Sequence, residues 1–117
     1  MQLDSTLCAH RRTRTSSAGR LRRAVLVLTE NAARVASHSE AAWASITFAG
    51  TRHTMTLEFA GDDAVAAGEA FIAALPDHEF DLPGTLVADA SVRAATHRLL
   101  PDPALSVEIE LLLLDEG

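Results

Sequence analysis

The chain has 117 residues, 48% of them apolar, and a formal net charge of −6. This length fits one domain, and this apolar fraction excludes a wholly disordered chain. No apolar run approaches the ~18–20 residues that a membrane-spanning helix requires.

The charge is divided unevenly along the chain. The first 23 residues contain six arginines and one acid, whereas residues 24–117 contain four arginines and 15 acids. A basic arm therefore precedes an acidic body. We predict a basic, disordered arm over residues 1–20, with a transit peptide as the less favoured interpretation, and a single α+β domain over residues 21–117.

The arm has a possible role in nucleic-acid binding, since arginines neutralise phosphates. The acidic body would repel nucleic acid, and no aromatic residue separates the arginines for base stacking. The lone cysteine, Cys8, cannot form an internal disulfide, which is typical of a cytoplasmic protein. We predict at most weak, non-specific nucleic-acid binding through Arg11, Arg12, Arg14, Arg20, Arg22 and Arg23.

The first predicted element after the arm is a helix. Apolar residues from Leu21 to Val35 recur at the i, i+3, i+4, i+7 spacing of one helix face. The continuous apolar run at residues 25–28 leaves an alternative open, in which residues 23–29 form a buried strand.

Two segments with alternating apolar residues follow and predict a β-hairpin, residues 43–49 and 52–60. In this interpretation Ile46 and Phe48 face the core. Gly50 lies between the segments, where a two-residue turn needs a residue that accepts positive φ. The predicted turn is therefore centred on Gly50 and the residue after it.

A second helix and a second hairpin complete the pattern. Residues 62–75 carry a helical apolar stripe that Pro76 ends, and residues 86–94 and 105–113 alternate as strands. The order α-β-β-α-β-β predicts an α+β fold, with two helices on one face of a four-stranded or five-stranded antiparallel sheet. If residues 23–29 form a strand, the fold becomes a ferredoxin-like β-α-β-β-α-β arrangement plus one strand.

The histidines are weak catalytic candidates. His53 lies on the predicted core face and His78 follows the second helix, and either could transfer a proton. A hydrogen-bonded core His53 and a His78 that interacts with the helix dipole are the commoner structural roles. No two histidines have the spacing of metal ligands, so we predict no metal site and no cofactor. The sequence contains no nucleophile motif or phosphate-binding loop, which favours a non-enzymatic protein.

The polar face of the predicted sheet is the candidate binding surface. An ordinary solvated face is the simplest interpretation, and a sheet-to-sheet or protein contact is the functional one. Leu112 and Leu114 break the polar alternation at the end of the last strand, which predicts either an interface or coverage by the arm or the first helix. The candidate binding residues are Trp43, Thr47, Thr56, Glu58, Asp89, Arg93, Glu108 and Glu110.

These features together predict a non-enzymatic binding or protein-interaction module that homo-oligomerises through its sheet. Its predicted partner is a second copy or another protein. One alternative is a small enzyme or ligand-binding protein with a pocket between sheet and helices. Another is a nucleic-acid accessory protein that uses the arginine-rich arm.

Overall fold

The computed structural model describes residues 16–115, which form two helices and four strands in the predicted order α-β-β-α-β-β. The helices are α1 (Ser16–Leu28) and α2 (Asp62–Ala74), and a 3₁₀ turn (Leu75–Asp77) continues α2. The strands are β1 (Ala33–Ala44), β2 (Ala49–Ala60), β3 (Thr85–Arg98) and β4 (Ala104–Asp115).

The four strands form one antiparallel sheet in the order β1-β2-β4-β3. Each hairpin therefore supplies one edge strand, β1 or β3, and one central strand, β2 or β4. The β2–β4 pairing is regular along its length, whereas β1 has one bulge and β3 has two. The prediction of an α+β fold with a four-stranded antiparallel sheet is confirmed.

Both helices pack on one face of this sheet, which we call the inner face. Leu21 and Val25 of α1 are fully buried, as is Phe71 of α2 except for 1% of its surface. Successive strand residues alternate between the two faces, so every second residue joins this core. The buried strand residues of the core are Met55, Leu57, Phe59, Leu105, Val107, Ile109, Leu111 and Leu113.

The first helix ends earlier than its apolar periodicity predicted. α1 stops at Leu28, and Glu30 and Asn31 adopt positive φ angles of 61° and 59°, which no helix can continue. Val35, predicted to be helical, lies in β1 instead. The alternative strand over residues 23–29, and with it the ferredoxin-like arrangement, is wrong because this segment is helical up to Leu28.

The first hairpin turns before Gly50 and not at it. The backbone N–H of Ser45 donates to the carbonyl of Phe48 at 2.7 Å, and Ile46 and Phe48 are exposed instead of buried. Gly50 lies within β2 and does not have a positive φ. A glycine is required there for another reason, since a Cβ at Gly50 would lie 1.9 Å from the carbonyl oxygen of Leu113.

The fold is thin, measuring 47 × 42 × 21 Å along its principal axes. The smallest dimension corresponds to one sheet and one layer of helices, each about 10 Å thick. Within residues 16–115, no element covers the second face of the sheet, which we call the outer face. None of the helices in this part of the chain is long and apolar enough to cross a membrane.

Candidate functional site

The outer face is organised in rows because neighbouring strands pair in register. The row nearest the β1–β2 turn crosses all four strands and is apolar on each of them. It consists of Trp43, Gly50, Leu114 and Leu86. The next row mixes apolar and charged residues, and it consists of Ala41, Arg52, Leu112 and Asp89.

The apolar row is only partly shielded from solvent. Leu86 is 49% exposed and Trp43 is half-buried, while Leu114 is 8% exposed although it lies on the face opposite to α1 and α2. Gly50 has no side chain, so no side chain of β2 separates the positions of Trp43 and Leu114. The adjoining turn adds two more exposed apolar side chains. We call this region the apolar end and define it as Trp43, Ile46, Phe48, Leu86, Leu112 and Leu114.

Several charges on the remainder of the outer face form ion pairs between neighbouring strands. Glu110 of β4 contacts arginines on both neighbouring strands: Arg52 Nε lies 2.7 Å from one carboxylate oxygen, and Arg93 pairs with the other. Arg34 of β1 pairs with Glu58 of β2. Such exposed pairs contribute at most about 1 kcal/mol each to stability. The apolar end therefore differs in character from the charged remainder of this face.

A second cluster lies on the inner face, where edge strand β1 borders β2. His53 is 3% exposed and pairs across the strands with Glu40, and His38 lies two residues from Glu40 on the same side of β1. His38 Nε2 is 2.9 Å from His53 Nδ1, and a guanidinium nitrogen of Arg22 in α1 is 2.9 Å from His38 Nδ1. Arginine can only donate, so His38 accepts at Nδ1 and donates from Nε2 to His53.

This environment lowers the pKa of both histidines from the ordinary value of 6.5. Burial is the main cause of the lowered pKa of His38, and charge on His53 and Arg22 lowers it further, against the opposing effect of Glu40. Burial also lowers the pKa of His53, again opposed by Glu40. Both rings are therefore neutral near pH 7, which leaves ring nitrogens able to bind a proton or a metal.

His78, the other catalytic candidate, lies away from this cluster. Its ring packs edge-on against Phe80 with 4.6 Å between the ring centroids. It lines an open groove of about 350 Å³ between α1 and the segment after α2, together with Arg20, Arg23 and Asp81. A second open groove, of about 310 Å³, lies at the end of the sheet around Phe59, Glu58, Arg98 and Ser106.

Comparison with known proteins gives one finding about the fold. The chain matches no protein-family model, and no match was found among curated proteins. Its structure is similar to a chain in the virion of a native gene transfer agent (GTA) particle. The TM-score is 0.58 at 16% sequence identity, and the match covers 84% of this chain and 91% of that chain. The two chains share a fold.

Most of the predicted binding residues lie together on the outer face. Thr47 does not, because it lies in the exposed β1–β2 turn. Leu112 and Leu114 lie in the two rows nearest that turn, so both predicted interface residues belong to the apolar end. The predicted binding residues that share the outer face are Trp43, Thr56, Glu58, Asp89, Arg93, Glu108 and Glu110. Their binding role stays a prediction.

Sequence reasoning missed the cluster of His38, Glu40 and His53. A two-residue turn at Gly50 and Thr51 would have placed Phe48 opposite His53, whereas Glu40 occupies that position. The useful signal was the His38-x-Glu40 spacing, which puts two potential ligands on one side of a strand. That signal could be used only once residues 33–44 were recognised as a strand.

Only some of the arginines that were predicted to contact nucleic acid lie in the described part of the chain. Arg20, Arg22 and Arg23 are exposed on α1, and Arg22 also donates to His38. The helix begins at Ser16, within the segment predicted as an arm. Of the residues named in the sequence analysis, those that lie outside the described part of the chain are Arg11, Arg12, Arg14 and Cys8. Weak nucleic-acid binding stays a prediction.

Proposed function

We propose that this protein is a non-enzymatic assembly module that self-associates through the apolar end of its outer sheet face. The observation that carries the proposal is the row of Trp43, Gly50, Leu114 and Leu86, which crosses all four strands without a covering element in the described structure. Exposed apolar side chains adjoin this row at Leu86, Ile46 and Phe48, and exposed apolar patches are typical of interaction sites. The paired charges on the rest of the face suit the polar rim of an interface.

The edges of the sheet are less suited to self-association than its face. Both edge strands contain bulges, one in β1 and two in β3. Bulges twist an edge strand and interrupt its free hydrogen-bonding groups, which disfavours pairing with a strand of another molecule. Packing of two outer faces uses side chains instead and needs no free strand edge.

The similarity of fold supports assembly as the general role. The similar chain belongs to the virion of a gene transfer agent particle, which is a multi-component assembly. A domain of the same fold with an uncovered apolar end is suited to contacts within an assembly. Within this proposal the first partner is a second copy, and a different protein subunit is the alternative partner.

Sedimentation velocity of the full chain at ~1 to ~100 μM tests the proposal. In this concentration range, dimers with micromolar dissociation constants form and dissociate. Two variants place a charge in the apolar end, Leu86→Glu and Phe48→Glu. Val27→Glu is the matched control, because Val27 is 61% exposed on α1, away from the outer face. All three positions are exposed, so the melting temperatures should change little.

The wild-type protein and Val27→Glu should form larger species as the concentration rises. Leu86→Glu and Phe48→Glu should remain monomeric, because association would bury an unpaired carboxylate. A wild-type protein that stays monomeric throughout would contradict self-association. An oligomer that dissociates only in Val27→Glu would place the interface on α1.

A further inference from the structure

We propose that His38, Glu40 and His53 form a binding site for Zn²⁺. Each residue offers one ligand atom, and these three atoms lie within 4.8 Å of one another. Imidazole nitrogens and carboxylate oxygens are common zinc ligands in proteins. This proposal does not depend on self-association through the outer face.

Regular backbone pairing brings the three side chains together. Glu40 and His53 are direct cross-strand partners, and His38 precedes Glu40 by two residues, which returns it to the same face of β1. Side chains in such positions are neighbours by the geometry of an antiparallel pair. The site therefore belongs to two strands of the fold and not to a loop.

The two ring nitrogens need only a small adjustment to share a metal ion. They are 2.9 Å apart in a hydrogen bond between His38 Nε2 and His53 Nδ1. With zinc–nitrogen bonds of about 2.0–2.1 Å and tetrahedral angles, they would be about 3.3 Å apart. Three protein ligands would leave a fourth position for water or for a side chain of a partner.

Zinc binding would replace the hydrogen bonds that His38 makes with His53 and Arg22 by bonds from the ion to His38, His53 and Glu40, without a net change in protons. The ion takes the place of the hydrogen on His38 Nε2, and that hydrogen moves to His38 Nδ1. There it faces the guanidinium of Arg22, which can no longer donate to this nitrogen. Arg22 is exposed and can move into solvent, while the carboxylate of Glu40 offsets the charge of the ion.

The charged groups that face the proposed ligands are Arg22 of α1 and Glu40 of β1. The positive charge of Arg22 repels a cation bound at His38, whereas the carboxylate of Glu40 attracts it. Removal of the Arg22 charge should therefore tighten zinc binding.

Calorimetric titration with zinc chloride tests the proposal on the full chain, purified without a histidine tag. The informative variants are His38→Ala, Glu40→Gln and Arg22→Gln, which avoid the buried His53. His97→Ala is the matched control, because His97 also lies near a carboxylate, with 3.9 Å between its Nδ1 and a carboxylate oxygen of Glu69. A second readout is the melting temperature with and without zinc, which binding to the folded state should raise.

One zinc ion should bind per chain and raise the melting temperature. We expect the affinity to fall at least about tenfold in His38→Ala and Glu40→Gln, to rise in Arg22→Gln, and to be unchanged in His97→Ala. The absence of saturable binding up to about 1 mM zinc would overturn the proposal. Equal losses of affinity in His38→Ala and His97→Ala would overturn it as well, since the ion would then bind without using this cluster.

Discussion

The two faces of the sheet are built from alternate residues of the same four strands, yet their environments differ. On the inner face, both helices cover side chains such as Leu57 and Ile109, which are fully buried. On the outer face, ion pairs occupy the middle and apolar residues occupy one end. The apolar end is therefore separate from the core, and the proposed self-association would account for it.

The two faces also differ in the residues that they carry on and around β1. The inner face becomes polar there, where His38, Glu40 and His53 lie beside Arg22 of α1. The outer face becomes apolar near the β1–β2 turn, which begins one residue after β1 ends. Strand β1 thus contributes to both proposed sites, and variants can address the two sites independently.

Substitution of two consecutive residues of β4 should show the largest difference between the faces. Ile109→Ala removes a fully buried side chain and should lower the free energy of unfolding by about 3 kcal/mol. Glu108→Ala, one residue earlier on the exposed outer face, should change it by less than about 0.5 kcal/mol. Chemical denaturation measures both values, and equal losses would mean that the outer face is also covered.

Gly50→Val should have the next largest effect and tests the close approach of β2 to β4. A Cβ at this position would meet the backbone of Leu113 and Leu114, so we expect a loss of about 2 kcal/mol or more. Gly19→Ala is the control, because a Cβ there meets nothing within 4 Å and alanine favours a helix by about 0.5–1 kcal/mol. An unchanged denaturation midpoint for Gly50→Val would contradict the strand register.

Acidification should lower the free energy of unfolding through His38 and His53 at the polar edge of the inner face. The pKa values of His38 and His53 in the folded state lie below 6.5, so the unfolded state binds more protons as the pH falls below about 7. This contribution to stability is present above pH 6.5 and is lost as the pH falls toward the folded pKa values. Denaturation midpoints should therefore fall with pH from about 7 to 5.

The comparison for this pH dependence uses two histidine variants. His38→Gln should weaken it, because one of the two titrating rings is removed and the other loses its hydrogen-bond donor. His97→Gln is the control for loss of a histidine elsewhere, because it leaves His38 and His53 in place. A stability that rises on acidification would contradict the lowered pKa values.

The ion pairs of the outer face should have the smallest effect. Glu110→Gln removes the carboxylate that pairs with Arg52 and Arg93, and we expect a loss of less than about 1 kcal/mol because both arginines are substantially exposed. The loss should shrink at ~1 M salt, where exposed charges are screened. A loss of several kcal/mol that is independent of salt would contradict the description of this region as solvated.

The inner face was largely predictable from sequence. The alternation of apolar residues over 53–59 and 105–113 correctly placed Met55, Leu57, Val107 and Ile109 in the core. Such patterns are informative because burial separates large apolar side chains from polar ones at the period of a strand. The second helix and its end near Pro76 followed from similarly strong local signals.

The edge strand and the histidine cluster were not predictable in the same way. Residues 33–44 are rich in alanine and serine, whose small side chains give no clear alternation, and Val35 fits the helical spacing that precedes it. Gly50 was interpreted as a turn, whereas it accommodates the backbone of β4. His38 lies beside His53 because of the register between β1 and β2. Pairing over the whole length of the two strands fixes this register.

The most direct test of the assembly role uses the fluorescence of Trp43. It is the one tryptophan of the chain, which contains no tyrosine, and it lies in the apolar end. Self-association through this region predicts that the emission moves to shorter wavelength between ~1 and ~100 μM protein, because a second copy excludes water from the indole. The shift should be absent in Leu86→Glu and retained in Val27→Glu. An emission maximum that does not depend on concentration would contradict self-association through the apolar end.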